Sequence, residues 1–267
     1  MPTRTVGWLD EPRWIGKVAP MFPIRDHNPS GRTPFVTYVL IAVNIVVFLG
    51  YWLTIPNDYD LAVFFIRWGL VPQAVMAGYQ TETVITSMFL HGGWMHLAGN
   101  MLFLWIFGDN LEDEMGHVRF GLFYLAAGLA AAFLQTAADP ASPIPMVGAS
   151  GAIAGVMGGY LLMFPRAKVD VLFIFIIFFR IFAIPAWIVL GVWIGLQLFN
   201  GTVTPTDGGG VAYLAHVGGF IGGLLLTVPL WLARGGFGFW QRTHGAPPHP
   251  DAEYKLSASS VPKVPRR

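Results

Sequence analysis

Polar side chains stand inside apolar runs at three places in this chain. The stretch PMVGASGAIAGVMGGY (Pro145–Tyr160) sets Ser150 among small residues, AHVGG (Ala215–Gly219) holds His216, and HGGWMHLAGN (His91–Asn100) holds His91, His96 and Asn100. A hydroxyl is a poor nucleophile until a base takes its proton. Histidine, with an unperturbed pKa of about 6.5, is the usual base near neutral pH. Attack of a serine on an acyl carbon also builds an oxyanion, which needs hydrogen-bond donors. The Asn100 amide, a ring N–H of His96 and the backbone N–H of Ser150 are the candidates. Gly148 and Gly151, flanking the serine, leave room for a substrate backbone to approach. No acid in the last three candidate spans could orient the imidazole, so the most the sequence offers is a Ser–His dyad. A metal site built from His91, His96 and His216 is not expected, because no carboxylate joins them and Cys is absent. No cofactor is expected either.

These residues need a membrane to be placed. Hydrophobic residues make up 54% of the 267 and charged ones only 12%, too few for the surface of a soluble domain this size. The class is an integral membrane protein, with mean hydropathy +0.56. The net charge of +1 names no partner, and the scattered basic residues form no nucleic-acid patch. Nothing in the sequence sets an oligomeric state. The first 34 residues carry five basic residues and six prolines with no apolar core, and read as an amino-terminal arm rather than a signal peptide.

A bilayer core of about 30 Å takes about 20 apolar residues per helix. Candidate spans are Phe35–Leu53, Met88–Phe107, Phe120–Ala137, Met146–Phe164, part of Val169–Phe199, and Val211–Leu232. Pro185 divides the fifth stretch; Ile184–Phe199 reads as the span and Val169–Phe182 as an interfacial segment. Between the first two spans, Asn57–Ile85 forms a long first external loop, expected on the membrane surface. Residues 233–267 are Gly-, Pro- and Ser-rich and read as a disordered basic tail. The expected fold is therefore all-α and polytopic: an arm over 1–34, a six-helix bundle over 35–232, and the tail.

Charge orients this bundle. With six spans and a cytoplasmic amino terminus, fifteen of the sixteen basic residues fall on the inner face and only Arg67 lies outside. Seven spans would export all six basic residues of the tail. Spans two, four and six then run from outside to inside. Ser150 lies four residues into the fourth and His216 five into the sixth, so both sit roughly 6–8 Å below the outer helix ends. His96 and Asn100, four residues apart, share a helix face in the outer half of the second span. Polar residues at one depth on three helices face the bundle interior and mark function.

The three motifs, in this order and on these spans, resemble those of the rhomboid intramembrane serine proteases. The resemblance covers the six-span core, about Phe35 to Leu232; a lone GxSG would be weak, since soluble esterases carry a similar signature. It implies cleavage of a peptide bond in or beside a substrate's transmembrane helix. Transmembrane proteins and membrane lipid would be the partners, in a bacterial or archaeal cell membrane with both termini cytoplasmic. It makes Ser150 the nucleophile and His216 the general base. His96 and Asn100 would assist the oxyanion, and His91 would support the site from the start of the second span. The first external loop would be membrane-embedded and the fifth span a lateral gate. Two positions depart from the family pattern. The first loop reads ETVITS (Glu82–Ser87) where well-known bacterial members carry a Trp-Arg pair, and Ala154 stands where some members place a Tyr beneath the catalytic His.

Taken alone, Ser150 reads as a small residue at a helix contact; its match in depth with His216 is what makes it a nucleophile. The rival is a pseudoprotease that binds transmembrane helices without cutting, but such relatives lose the Ser or His, or disturb the residue before the Ser. This chain keeps both groups. His117, beside an acidic cluster, reads as a solvated loop residue. Gly151, Gly155 and Gly159 recur every four residues, as do Gly219 and Gly223. Membrane helices associate by close backbone approach at such small-residue seams, so the two seams are expected to face each other below Ser150 and His216.

Overall fold

The computed structural model describes residues 21–26, 28, 30–175, 178–203 and 211–248. In chain order these form β1 (Met21–Asp26), α1 (Phe35–Trp52), α2 (Asp58–Trp68), α3 (Pro72–Met76), α4 (Thr83–Thr86) and a 3-10 turn (Ser87–Phe89). Then come α5 (Trp94–Met115), α6 (His117–Ala138), α7 (Ser150–Met163), β2 (Lys168–Phe175), β3 (Phe178–Pro185), α8 (Ala186–Val203), α9 (Tyr213–Ala233) and α10 (Phe237–Thr243). Four of the described helices, α1, α6, α8 and α9, are long and apolar enough to cross a bilayer. The protein is a mostly helical, polytopic integral membrane protein.

The helix that matters most is the shortest of the bundle. All 14 residues of α7 except Ser150, Leu161 and Leu162 are buried, because α5, α6 and α9 pack around it. At 1.5 Å per residue it is about 21 Å long, short of the roughly 30 Å hydrocarbon core. A helix enclosed by protein has no need to span lipid. Non-helical backbone is tolerated at membrane depth when protein covers it. The lead into α7 meets that condition. Met146 exchanges backbone hydrogen bonds with Leu70 (2.9 and 2.8 Å), and Gly148 N donates to the Ser87 carbonyl at 2.9 Å.

Glycine allows α7 and α9 to touch backbone to backbone. A Cβ added at Gly219 would collide with the Gly151 carbonyl, and one at Gly223 would collide with the Gly155 backbone. On the other side of α7, a Cβ at Gly151 would lie 2.5 Å from that of Ala131 in α6. Gly159 meets Thr227, Leu111 and Phe123 rather than a glycine of α9. The two seams therefore lie against each other over their first two steps.

Polar groups fix the start of α1. The first amides of a helix have no acceptor within it, and α1 has no cap of its own. Glu112, near the end of α5 and 1% exposed, supplies one: its carboxylate accepts from Val36 N (2.9 Å), Thr37 N (2.8 Å) and Thr37 Oγ1 (2.7 Å). A carboxylate at a helix amino terminus also suits the helix dipole. His117 Nδ1 sits against the same carboxylate.

Five expectations need correction. The fold is not all-α: β1, β2 and β3 form an antiparallel sheet in that order, with Asp170 opposite Ala183 and Phe173 opposite Arg180. The segment expected to lie at the interface over Val169–Phe182 is the β2–β3 hairpin. A run of Val, Ile and Phe suits a pleated surface, and a hairpin followed by a helix accounts for a stretch too long for one span. The fourth helix starts at Ser150 rather than Met146. The tail is helical where it begins, because α10 carries aromatic anchors: Phe239 is buried and Trp240 Nε1 donates to the Leu162 carbonyl at 2.9 Å. Residues 249–267 lie outside the described residues. His117 is the first residue of α6 and a partner of Glu112, not a solvated loop residue.

Candidate active site

Ser150 opens α7 and His216 lies in the first turn of α9. Ser150 adjoins Gly151, and His216 precedes Gly219 by three residues, so the close crossing of those glycines fixes both side chains. His216 Nε2 lies 2.8 Å from Ser150 Oγ, within the reach required of a nucleophile and its base. His216 is 8% exposed. The first amides of α7 have no acceptor within their helix.

The remaining groups come from α5 and the lead into α7. Asn100 is buried, its Nδ2 meets no hydrogen-bond partner among the described residues, and it lines the same cavity as Ser150 and His216. An unpaired buried amide is costly unless something else takes its protons. His96 Nδ1 accepts from Gly92 N at 3.2 Å. In a neutral ring with Nδ1 accepting, the proton sits on Nε2, which makes Nε2 a donor. That nitrogen faces Gly148, whose φ of +136° suits glycine. A Cβ there would lie 2.9 Å from His96 Nε2 and 3.3 Å from Ser150 Oγ, so any side chain would strain the backbone and intrude on the site.

The cavity has a volume of about 670 Å³ and is lined by Ser150, His216, His96, Asn100, Gly148 and Gly151 among others. Those are the sequence-predicted site residues with one exception. His91 is fully buried and off the cavity wall. Its ring meets that of His96 edge-on at 5.1 Å, and its main chain is clamped by the Tyr51 hydroxyl, which donates to the His91 carbonyl (2.6 Å) and accepts from its N–H (2.8 Å). His91 backs His96 rather than touching the space beside Ser150.

Two residues went unread in the sequence. Gln197 Oε1 of α8 lies 2.8 Å from His216 Nδ1, and the Trp193 ring meets the imidazole with centroids 5.6 Å apart, tilted by 36°. Gln197 meets His216 at the nitrogen opposite the one that faces Ser150. A polar side chain within an apolar span was the signal for Gln197. The group beside His216 Nδ1 is a neutral amide rather than an acid.

A family model described as the Rhomboid domain matches residues 79–233, more than half of the chain. The chain belongs to the rhomboid family. It is 32% identical over 203 residues to "Rhomboid protease GluP" of Bacillus subtilis, a match covering 76% of this rhomboid and 36% of that protein. It is 30% identical over 199 residues to "Rhomboid protein 1, mitochondrial" of Saccharomyces cerevisiae, covering 71% and 51%. It is 32% identical over 147 residues to "Rhomboid-related protein 2" of Mus musculus, covering 52% and 44%. This rhomboid thus spans about a third to a half of the length of these relatives. The matched region, 79–233, includes every residue lining the site except Pro72.

Proposed function

We propose that this rhomboid is an intramembrane serine endopeptidase that cuts peptide bonds in or next to the transmembrane helices of other membrane proteins. One observation carries the reading: the 2.8 Å approach of Ser150 Oγ to His216 Nε2 in a cavity walled by apolar helices. Ser150 Oγ donates its proton to Nε2 as it attacks the scissile carbonyl, and the carbonyl oxygen gains the charge. Asn100 Nδ2, His96 Nε2 and the Ser150 amide donate to that oxyanion. The imidazolium then protonates the leaving amine, leaving an acyl-serine. A water entering the cavity gives its proton to His216, attacks the ester and releases the carboxylic acid, and Ser150 recovers its proton.

The six-span arrangement belongs to the same proposal. Helices α1, α5, α6, α7, α8 and α9 would be the spans, with both termini inside. The inner ends of α5 and α6 then carry Glu112, Asp113, Glu114, His117 and Arg119 to the cytoplasm, with Arg234 bonded to Glu114 at 2.9 Å. The first external loop, with α2, α3 and α4, would lie on the outer face. Its helix α2 has no buried residue and exposes Tyr59, Val63 and Ile66, which suits contact with lipid.

The test is labelling of the purified protein by a fluorophosphonate, which reacts with activated serines. The wild type should label and Ser150→Ala should not. An unlabelled wild type, with its fold intact, would return the chain to the class of helix-binding proteins that do not cut.

A further inference from the structure

We infer that Gln197 is a positioning residue for the catalytic base, completing with Ser150 and His216 a neutral Ser–His–Gln relay. The inference rests on the protease reading above. His216 has two ring nitrogens, and a neutral imidazole carries one proton. General-base action on Ser150 requires that proton on Nδ1, so that Nε2 holds the free lone pair. Gln197 Oε1, 2.8 Å from Nδ1, is a carbonyl acceptor and favours that tautomer over the other. Without it, Nδ1–H would lose its partner in a ring that is 8% exposed. The ring could then turn its proton to Nε2, where it opposes the serine proton.

The geometry also says why one helix carries the task. Trp193 and Gln197 are four residues apart and so share a face of α8. Trp193 meets the imidazole as a tilted ring pair and also meets Phe220, at 6.2 Å; Gln197 meets Nδ1. Of the 18 residues of α8, only Ala186 and Leu190 are buried, both near its start. The outer half of α8 thus holds few packing contacts, and this pair reaches the base. The orientation of His216 depends on α8 being seated against α9. In a Ser–His–Asp triad the third group both orients the imidazole and stabilises its positive form by charge. An amide oxygen does the first and offers only a dipole for the second. A carboxylate at 197 would do both.

The experiment measures kcat, KM and the pH profile of kcat for a model transmembrane substrate, using the full chain in detergent. It compares wild type, Gln197→Met and Gln197→Glu. Methionine keeps the length and volume of the side chain without the acceptor. The expected result is a fall in kcat on the order of tenfold or more for Gln197→Met, with KM within about twofold. That matches the loss of about one hydrogen bond in the transition state. Gln197→Glu should recover most of the lost rate and move the acid limb of the profile to higher pH, because a carboxylate beside Nδ1 favours the imidazolium. Gln197→Met with wild-type kcat and acid limb would overturn the inference. So would a slow Gln197→Met that Gln197→Glu does not restore, since that pattern marks a packing role. If instead the wild type neither cleaves nor labels at Ser150, it is the protease reading that fails.

Discussion

Replacing Gly219 by alanine adds one carbon at the point where α9 crosses α7. That carbon would land inside the van der Waals shell of the Gly151 carbonyl oxygen. Carbon and carbonyl oxygen ordinarily meet at about 3.3–3.6 Å, and backbone cannot swing aside as a flexible side chain can. The two helices must part by roughly 1.5 Å on that spacing. Ser150 adjoins Gly151 and His216 lies one turn before Gly219, so the opening falls on the dyad. A 2.8 Å contact widened by that amount lies near 4 Å, outside the ~2.6–3.2 Å reach of general-base catalysis. Loss of the base costs about 10²–10⁴-fold in rate, and overpacking of a tight contact costs about 1–3 kcal/mol in stability. Gly219→Ala should therefore lose activity and melting temperature together, measured on the same detergent-purified samples. Gly195→Ala is the control: it lies on α8, where an added Cβ meets nothing within 4 Å, and it should leave both unchanged. Ser150→Ala should lose activity alone. A Gly219→Ala protein of wild-type stability and rate would refute the argument that the glycine crossing sets the dyad distance.

Three further outcomes follow from the same geometry. Asn100→Ala should lower kcat about 10²–10³-fold, the usual cost of one oxyanion donor, with little change in KM; poor binding with normal turnover would move Asn100 to a packing role. Single cysteines in this Cys-free chain should react with an impermeant reagent from outside at Asp139 and not at Lys168; labelling of Lys168→Cys from outside would sink the six-span orientation. In the first loop, the Arg67 guanidinium, 2.8 Å from Glu82 and stacked on Trp68 at 4.9 Å, holds the Glu82 carboxyl below the usual carboxylate range. A depressed pKa means that the pair supports the loop above that range and ceases to do so as pH falls through the lowered value. Amide exchange over residues 58–86 should accelerate in that acid window, and Glu82→Gln should flatten the dependence; an unchanged pH response in Glu82→Gln would assign it to other groups.

The site was legible because a hydroxyl, two imidazoles and an amide have no reason to lie in hydrocarbon unless they meet. Ser150, His216, His96 and Asn100 could be paired by depth alone, since helix rise and the positive-inside bias fix position along the membrane normal. Position around a helix axis is harder. Gln197 touches His216 only because of how α8 leans on α9, and no periodicity in a uniformly apolar helix reports that angle. The same uniformity hid the β2–β3 hairpin: a run of Val, Ile and Phe with only Asp170 and Arg180 inside it carries too few polar residues to reveal a period of two or 3.6. Composition misled at α10, where three aromatic residues among glycines suffice to dock a short helix against Phe164 and Leu162. Nothing near His117 in the sequence points to Glu112 as the cap of α1, a role set by contact between helices far apart in sequence.

The central claim is that Ser150 and His216 act as one nucleophile–base unit. The most direct test reconstitutes wild type, Ser150→Ala and His216→Ala with a single transmembrane substrate in liposomes, and follows the new amino terminus by mass spectrometry. The account predicts one cleavage site in or next to the substrate helix for the wild type. It predicts near-complete loss in each single variant, and no further loss in the double variant, because groups that act together are not additive. Cleavage by His216→Ala at near the wild-type rate would contradict it.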